Sequence, residues 1–106
     1  MTDTTFLELP NIHIPTDEIQ AFCQRNHIRL LALFGSVIRS DFSVDSDIDV
    51  LVEFELGHVP GFSFFALQEE LAQILGRTVD LNTPGFLSPH MRAGILSEAI
   101  TLYDKT

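Results

Sequence analysis

The most regular pattern in the chain lies between residues 48 and 55, where apolar and polar side chains alternate. A period of two places successive side chains on opposite faces of a strand. One face would carry only apolar side chains, namely Ile48, Val50, Val52 and Phe54. The opposite face would carry Asp47, Asp49, Leu51 and Glu53. The pattern therefore predicts a strand with one buried face and one face that presents carboxylates.

A mainly apolar segment over residues 28–34, in which Leu30 to Phe34 is an unbroken apolar run, comes before this strand in the sequence. Its length and its lack of alternation predict a buried strand, which ends where Gly35 and Ser36 interrupt the run. Two shorter segments, residues 78–82 and residues 100–103, predict further strands. Together these segments would supply a small sheet.

Apolar spacing of three and four residues predicts the helices. We expect a first helix from residue 15 or 16 to about residue 26, and a short helical turn over 37–40. A longer helix is expected over 62–75, ended by Gly76, and a last one from Ser88-Pro89 towards Glu98. The order α-β-α-β-α-β-α, with a small terminal strand, is typical of an α/β domain.

The first fourteen residues show no clear period, and prolines stand at positions 10 and 15. They predict an extended N-terminal arm over 1–14, which suits a lead-in segment or a partner-binding arm. The total length of 106 residues supports one domain. The expected organisation is an arm over 1–14 followed by a single domain over 15–106.

The charge balance narrows the classes of partner. Fifteen acidic residues stand against six basic ones, for a formal net charge of −9. Proteins that bind nucleic-acid grooves bring clustered Lys and Arg to the phosphates, so direct nucleic-acid binding is not expected. A basic partner protein or a site that collects metal cations suits the acidity better, although acidity also serves plain solubility.

Other features of the composition indicate a soluble cytoplasmic protein. Cys23 is the only cysteine, so no intramolecular disulfide can form, which suits a reducing compartment. The N-terminus lacks the pattern of a signal peptide, and no apolar run is long enough for a membrane span. No pair among the four histidines has the local spacing typical of a zinc site, so zinc is not expected.

The chemistry is concentrated in Gly35-Ser36, ten further residues, and then Asp47 and Asp49. Glycine at the end of a buried strand lets the backbone approach a ligand, and the turn suits a phosphate. Two carboxylates on one strand face need a compensating cation, and such oxygen ligands suit Mg²⁺. Asp80, on the predicted strand over 78–82, is a third carboxylate that can join them. An Asp-x-Asp pair alone is usually solvated, so the combination is what indicates a site.

These residues resemble the signature of the polymerase-β-like nucleotidyltransferase superfamily, which has Gly-Ser, ten residues and Asp-x-Asp. More specifically the chain resembles the minimal nucleotidyltransferase (MNT) antitoxins of HEPN/MNT toxin–antitoxin systems. The resemblance rests on four stretches and covers about residues 16–104: Leu33–Asp41, Asp45–Phe54, Gly76–Leu81 and Ile95–Tyr103.

The resemblance implies a polymerase-β-like core on a small mixed sheet and a transfer of AMP from ATP that needs Mg²⁺, with two ions expected. The acceptor would be a tyrosine of a HEPN-domain ribonuclease toxin, in a complex of the two proteins. Asp47 and Asp49 would bind metal, and Asp80 would share it and help to activate the attacking hydroxyl. Gly35 and Ser36 would hold the nucleotide phosphates. Arg39 either reaches a phosphate or pairs with a loop carboxylate; both remain open.

Two other functions remain open at this stage. The protein could neutralise a toxin by binding and occlusion without catalysis, with its acidic surface on a basic face. Alternatively it could transfer nucleotidyl groups to a small molecule, although relatives with that activity generally carry an extra domain for the acceptor. A nucleic-acid polymerase is the least expected, because the chain has no basic groove.

Overall fold

The computed structural model describes residues 6–9, 12–38, 46–83 and 89–105. Six strands and three helices lie in these ranges, with one 3₁₀ turn at Gly35–Ile38. The strands are β1 (Phe6–Leu9), β2 (Ile12–Pro15), β3 (Ile28–Phe34), β4 (Ile48–Phe54), β5 (Val79–Asn82) and β6 (Ile100–Asp104). The helices are α1 (Thr16–Arg25), α2 (Ser63–Leu75) and α3 (Pro89–Glu98).

The central sheet has four strands in the order β5-β4-β3-β6. The strand β3 pairs antiparallel with both β4 and β6, whereas β4 and β5 run parallel. The sheet is therefore mixed, and the α/β class predicted from the sequence is confirmed. The predicted strand over 48–55 is β4. Its side chains alternate between the two faces of the sheet, and the face with Ile48, Val50 and Val52 packs in the core.

One face of the sheet forms the core together with α1 and α2. From α1, Ile19, Phe22 and Cys23 are buried, as the i, i+3, i+4 stripe predicts. The helix α2 ends at Gly76, which adopts the left-handed conformation and donates its N–H to the Ala72 carbonyl at 2.8 Å. The buried side chains that complete this cluster from the sheet and α2 are Ile28, Leu31, Leu33, Ile48, Val50, Val52, Val79, Leu81, Leu67, Leu71 and Leu75.

Part of the expected N-terminal arm folds onto this core. The strands β1 and β2 form an antiparallel two-stranded ribbon that is separate from the central sheet. Ile14 is 0% exposed and Ile12 is 8% exposed, and both belong to the core cluster. The alternation Ile12, His13, Ile14 is too short to be distinguished from a loop by period alone. Residues 12–15 are thus extended, as expected, and they are packed against the domain.

The other face of the sheet carries the polar positions of β4. Ala32 and Leu51 are buried on this face, while Asp49 is half-buried and Asp80 is exposed. The helix α3 contacts β3, and its residues Gly94 and Ile95 line a small cavity with Phe34. Within the described ranges, none of the helices is both long and apolar enough to cross a lipid bilayer.

Candidate active site

The three aspartates predicted to act together lie at one end of the open face of the sheet. In the parallel pairing of β4 with β5, Asp49 stands directly opposite Asp80. Neighbouring strands are roughly 4.8 Å apart, so these two side chains leave the same face side by side. Asp47 precedes β4 by one residue and is two positions from Asp49, which places it on that face as well. Asp47 and Asp80 are exposed, and Asp49 is half-buried.

Gly35 lies against the side chain of Asp49. Phe34, the last residue of β3, is opposite Asp49 in the antiparallel register, so the chain turns at Gly35 beside this carboxylate. Gly35 has φ +79°, a conformation that favours glycine. A Cβ at this position would overlap Asp49 Oδ2 and would lie 3.1 Å from Asp49 Cγ. Two structural features therefore require glycine at position 35, namely the left-handed backbone conformation and the position of the Asp49 carboxylate.

The segment that carries Asp47 is held by the start of the next strand. Arg77 Nη2 donates to the Ser46 carbonyl at 3.1 Å, and the Ile48 N–H donates to the Thr78 carbonyl at 2.9 Å. These two bonds flank Asp47 on both sides. The Arg77 guanidinium thus holds the backbone next to Asp47.

The edge strand β5 is fixed by a side chain of α2. The Leu81 N–H donates to Gln68 Oε1 at 3.0 Å, which satisfies a backbone group on the open edge of the sheet. Asn82 Nδ2 donates to the carbonyl of Asp80 at 3.1 Å. The peptide that joins Asp80 to Leu81 is therefore held at both its carbonyl and its N–H, while the Asp80 carboxylate stays exposed.

A largely apolar cavity of about 590 Å³ adjoins Asp80. It lies between the loop that precedes α2, the first turns of α2 and the end of β5. The side chains around its mouth are exposed, with Val59 at 73% and Phe65 at 68%. The cavity is lined by Val59, Pro60, Gly61, Phe64, Phe65, Gln68, Asp80, Leu81 and Thr83. The structure thus places an apolar recess directly beside a carboxylate of the site.

The remaining residues considered from the sequence divide into three groups. Arg39 lies outside the described residues. Glu53 shares the open face of β4 and is ion-paired with Arg29, away from the three aspartates. Cys23 is buried in α1, and this burial raises the pKa of its thiol to about 12. The thiol is consequently a small core side chain, as the apolar stripe predicts.

The donor set fits a hard divalent cation. The three side chains offer only carboxylate oxygens, which Mg²⁺ prefers, and their exposure leaves room for water and phosphate ligands. The Asp49 carboxylate lies where a Cβ on residue 35 would be, so it can take this position only because residue 35 is glycine. Asp47, Asp49 and Asp80 are the residues that could hold such an ion, next to the turn at Gly35 and Ser36.

Comparisons with known proteins show the family to which the chain belongs. Residues 17–106 match the family described as polymerase β nucleotidyltransferase. The protein adenylyltransferase MntA of Thermococcus cleftensis is 35% identical over 78 residues, which cover 73% of this chain and 77% of that protein.

Solved structures share the fold. The crystal structure of a toxin–antitoxin with AMP-PNP superposes with a TM-score of 0.69 at 22% identity, covering 86% of this chain and 74% of that chain. A second structure contains a tri-AMPylated HEPN toxin of Shewanella oneidensis in complex with its MNT antitoxin. It superposes with a TM-score of 0.60 at 23% identity, covering 84% of this chain and 69% of that chain.

Proposed function

Because the chain belongs to the polymerase β nucleotidyltransferase family, we propose that it is an antitoxin that transfers AMP from ATP to a tyrosine hydroxyl of a HEPN-domain toxin. The relative from Thermococcus cleftensis is named a protein adenylyltransferase, which supports a protein acceptor. The fold is shared with an MNT antitoxin that was solved with an AMPylated HEPN toxin, which supports this class of partner.

The observation that carries the proposal is the register of β4 and β5. It sets Asp49 opposite Asp80 on one face, with Asp47 two residues from Asp49 on the same side. Like charges on one face of neighbouring strands repel one another, and a bound cation relieves this repulsion. On the open face, beside a glycine turn, the three carboxylates suit the binding of a metal–nucleotide complex. We assign Asp47, Asp49 and Asp80 to Mg²⁺, and Gly35 and Ser36 to the phosphates of ATP.

In the proposed reaction the tyrosine oxygen forms a bond to the α-phosphorus of ATP. The bond from that phosphorus to the oxygen bridging the α- and β-phosphates breaks, and pyrophosphate leaves with the electron pair. Asp80, at the exposed edge of the site, accepts the hydroxyl proton. Bound Mg²⁺ would supply charge neutralisation for the phosphates. The protein's own contribution is positioning, which anchored strand ends provide.

The apolar cavity beside Asp80 supports a tyrosine as acceptor. An aromatic ring would occupy an apolar recess, and its hydroxyl would reach the carboxylate at the rim. The acidic net charge of −9 would favour approach of a basic ribonuclease surface. The cavity is open to solvent, which suits an acceptor that is presented by another protein.

The decisive experiment co-expresses this chain with the HEPN-domain protein proposed as its partner. We expect mass spectrometry of that partner to show one or more added AMP groups on tyrosine after incubation with ATP and Mg²⁺. The variants Asp47→Asn and Asp49→Asn should abolish the modification while the two proteins still form a complex. Glu53→Gln is the matched control, since Glu53 lies on the same strand face and outside the site.

Neutralisation by occlusion is the second candidate, and exposed apolar side chains favour it. Phe62 is 95% exposed and Leu56 is 99% exposed, on the same loop that borders the cavity. Under occlusion, the Asn variants would neutralise the toxin as well as the unchanged protein does, and no AMP would be found. That result would overturn the catalytic proposal.

A further inference from the structure

Three side chains that can bind a transition metal converge at the far end of β4. His27 lies in the turn between α1 and β3, Glu55 directly follows β4, and His58 lies three residues further on. Each residue offers one ligand atom, and these atoms all lie within 4.8 Å of one another. Because His27 and His58 are far apart in the sequence, no local motif reveals this cluster.

The backbone brings the three residues together before any metal is considered. The Glu55 N–H donates to the His27 carbonyl at 2.8 Å, and the His58 N–H donates to the Glu55 carbonyl at 3.0 Å. His27 has φ +56°, and among the described residues it is the non-glycine with positive φ. A positive φ costs free energy for a residue with a side chain, so the contacts around His27 must stabilise this backbone conformation.

The side chains face one another closely. The rings of His27 and His58 are stacked, with their centroids 3.9 Å apart and an angle of 17° between their planes. Glu55 accepts a hydrogen bond from Lys105 Nζ at 2.8 Å. This bond holds the pKa of the Glu55 carboxyl below its ordinary value, so the carboxylate stays ionised. One of its two oxygens takes the lysine, and the second can accept another cation.

We propose that His27, Glu55 and His58 form a binding site for a divalent transition metal of the Zn²⁺ class. Two imidazoles and one carboxylate are the ligands of open zinc sites, in which water takes the fourth position. Because the ligand atoms lie within 4.8 Å of one another, side-chain rotation can bring all three to the distance of about 2.1 Å at which zinc binds nitrogen and oxygen. Binding would rotate the two exposed rings out of their stack so that both nitrogens face the ion.

This site is distinct from the three aspartates in place and in chemistry. Glu55 is six residues beyond Asp49, which corresponds to ~20 Å along an extended strand. Imidazole ligands select Zn²⁺, Ni²⁺ or Cu²⁺, whereas sites made only of carboxylates suit Mg²⁺. Excess Mg²⁺ should therefore fill the aspartate site and leave the histidine site for Zn²⁺.

Metal at this site would tie together three separate segments of the chain. The turn after α1, the end of β4 and the loop before α2 would share one ion. Val59, Pro60 and Gly61 follow His58 directly and line the apolar cavity next to Asp80. Bound Zn²⁺ would accordingly fix the loop that borders this cavity.

The test is a calorimetric titration of the full chain with Zn²⁺ in excess Mg²⁺. We expect one site per chain, weakened at least about tenfold by His58→Gln and by His27→Asn, because each variant removes a ligand. Asparagine tolerates positive φ, so His27→Asn should keep the backbone, which circular dichroism would verify. His90→Gln, which alters an exposed histidine of α3, is the matched control and should bind as the unchanged protein does.

Two further measurements sharpen the outcome. Co²⁺ substitution should give the visible absorption of a histidine-ligated ion, and both ligand variants should lose it. Lys105→Met should tighten Zn²⁺ binding several-fold, because the competing cation on Glu55 is removed. Absence of a Zn²⁺ site in excess Mg²⁺ would overturn the proposal, as would a site that survives in the His27→Asn/His58→Gln double variant. Neither result depends on AMP transfer.

Discussion

The carboxylate of Asp49 occupies the space where a side chain on residue 35 would have to lie. Gly35 directly follows strand β3 and Asp49 lies in strand β4. The two strands pair antiparallel, and the turn at Gly35 begins where the pairing ends. The lack of a side chain at Gly35 is therefore as necessary to the geometry of the site as the Asp49 carboxylate.

Replacement of Gly35 with Ala should abolish AMP transfer. The added Cβ would overlap Asp49 Oδ2, and the residue would also be strained at φ +79°. We expect a loss of stability of about 1–3 kcal/mol from the backbone strain and a larger loss in the rate of modification. Transfer assays and thermal unfolding would measure the two effects.

The control for this variant is Gly57→Ala. Gly57 has φ +83°, and nothing lies within 4 Å of a Cβ built on it. It thus reproduces the strain without the clash. Equal loss of activity in both variants would show that strain alone is responsible and that the contact with Asp49 is unimportant.

Replacement of Arg77 with Met should slow transfer while the protein remains folded. The variant loses the hydrogen bond to the Ser46 carbonyl and keeps most of the aliphatic stem. A bond of this kind contributes about 1–3 kcal/mol to the position of its partner, so we expect roughly a tenfold fall in kcat. Arg25→Met, which removes a surface ion pair with Glu70, should leave kcat unchanged.

Replacement of Phe65 with Ala should raise the KM for the toxin and leave the KM for ATP unchanged. Phe65 lines the cavity beside Asp80, where we place the acceptor tyrosine. Leu96 is a suitable control because it is exposed, lies on α3 and does not line the cavity. Steady-state kinetics with each substrate varied in turn would distinguish the two effects. A change confined to the KM for ATP would contradict this placement of the acceptor.

The thiol of Cys23 should react only when the protein unfolds. Its pKa of about 12 keeps it protonated, and burial excludes the reagent. An unfolded thiol loses its proton near pH 8.5, so the unfolded state is favoured as the pH rises through that value. Stability should then fall at alkaline pH in the unchanged protein and less steeply in Cys23→Ala. Denaturation followed at several pH values, with thiol labelling in parallel, would measure this.

The ribbon before α1 should contribute strongly to stability. Ile14 is 0% exposed and packs in the main core, so Ile14→Ala should cost about 2–5 kcal/mol. Gln20→Ala, on the exposed side of α1, should change stability by less than about 0.5 kcal/mol. Chemical denaturation would compare the two. A negligible effect of Ile14→Ala would mean that this segment is not part of the folding unit.

Strand positions were predictable because burial leaves a period in the sequence. The alternation in β4 placed Asp47 and Asp49 together on its open face, and the Gly-Ser motif placed the turn. The partnership of Asp49 with Asp80 depends on which strands are neighbours, and apolar periodicity carries no such information. The sequence could therefore offer Asp80 only as a third carboxylate that can join the pair, and the register of β4 with β5 sets it opposite Asp49. The match of residues 17–106 to polymerase β nucleotidyltransferases confirms the family resemblance.

The cluster of His27, Glu55 and His58 could not be predicted from the sequence, because it too depends on which strands are neighbours. In the antiparallel register, Ile28 at the start of β3 is opposite Phe54 at the end of β4. The residue before β3 is His27 and the residue after β4 is Glu55, so strand pairing makes them neighbours. Local spacing rules examine residues that are close in sequence, and they therefore give no signal here.

The alternation along β4 also disfavours forms of the protein in which this strand is paired in the wrong register. A slip of one residue would turn Asp47 and Asp49 into the core and Val50 onto the open face. Burial of these carboxylates in the apolar core would cost several kcal/mol, so forms with the slipped register would be too unstable to accumulate. The burial of the apolar face of β4 therefore also selects the register that places the aspartates on the open face. In every stably folded chain, Asp47 and Asp49 should lie on the open face of the sheet.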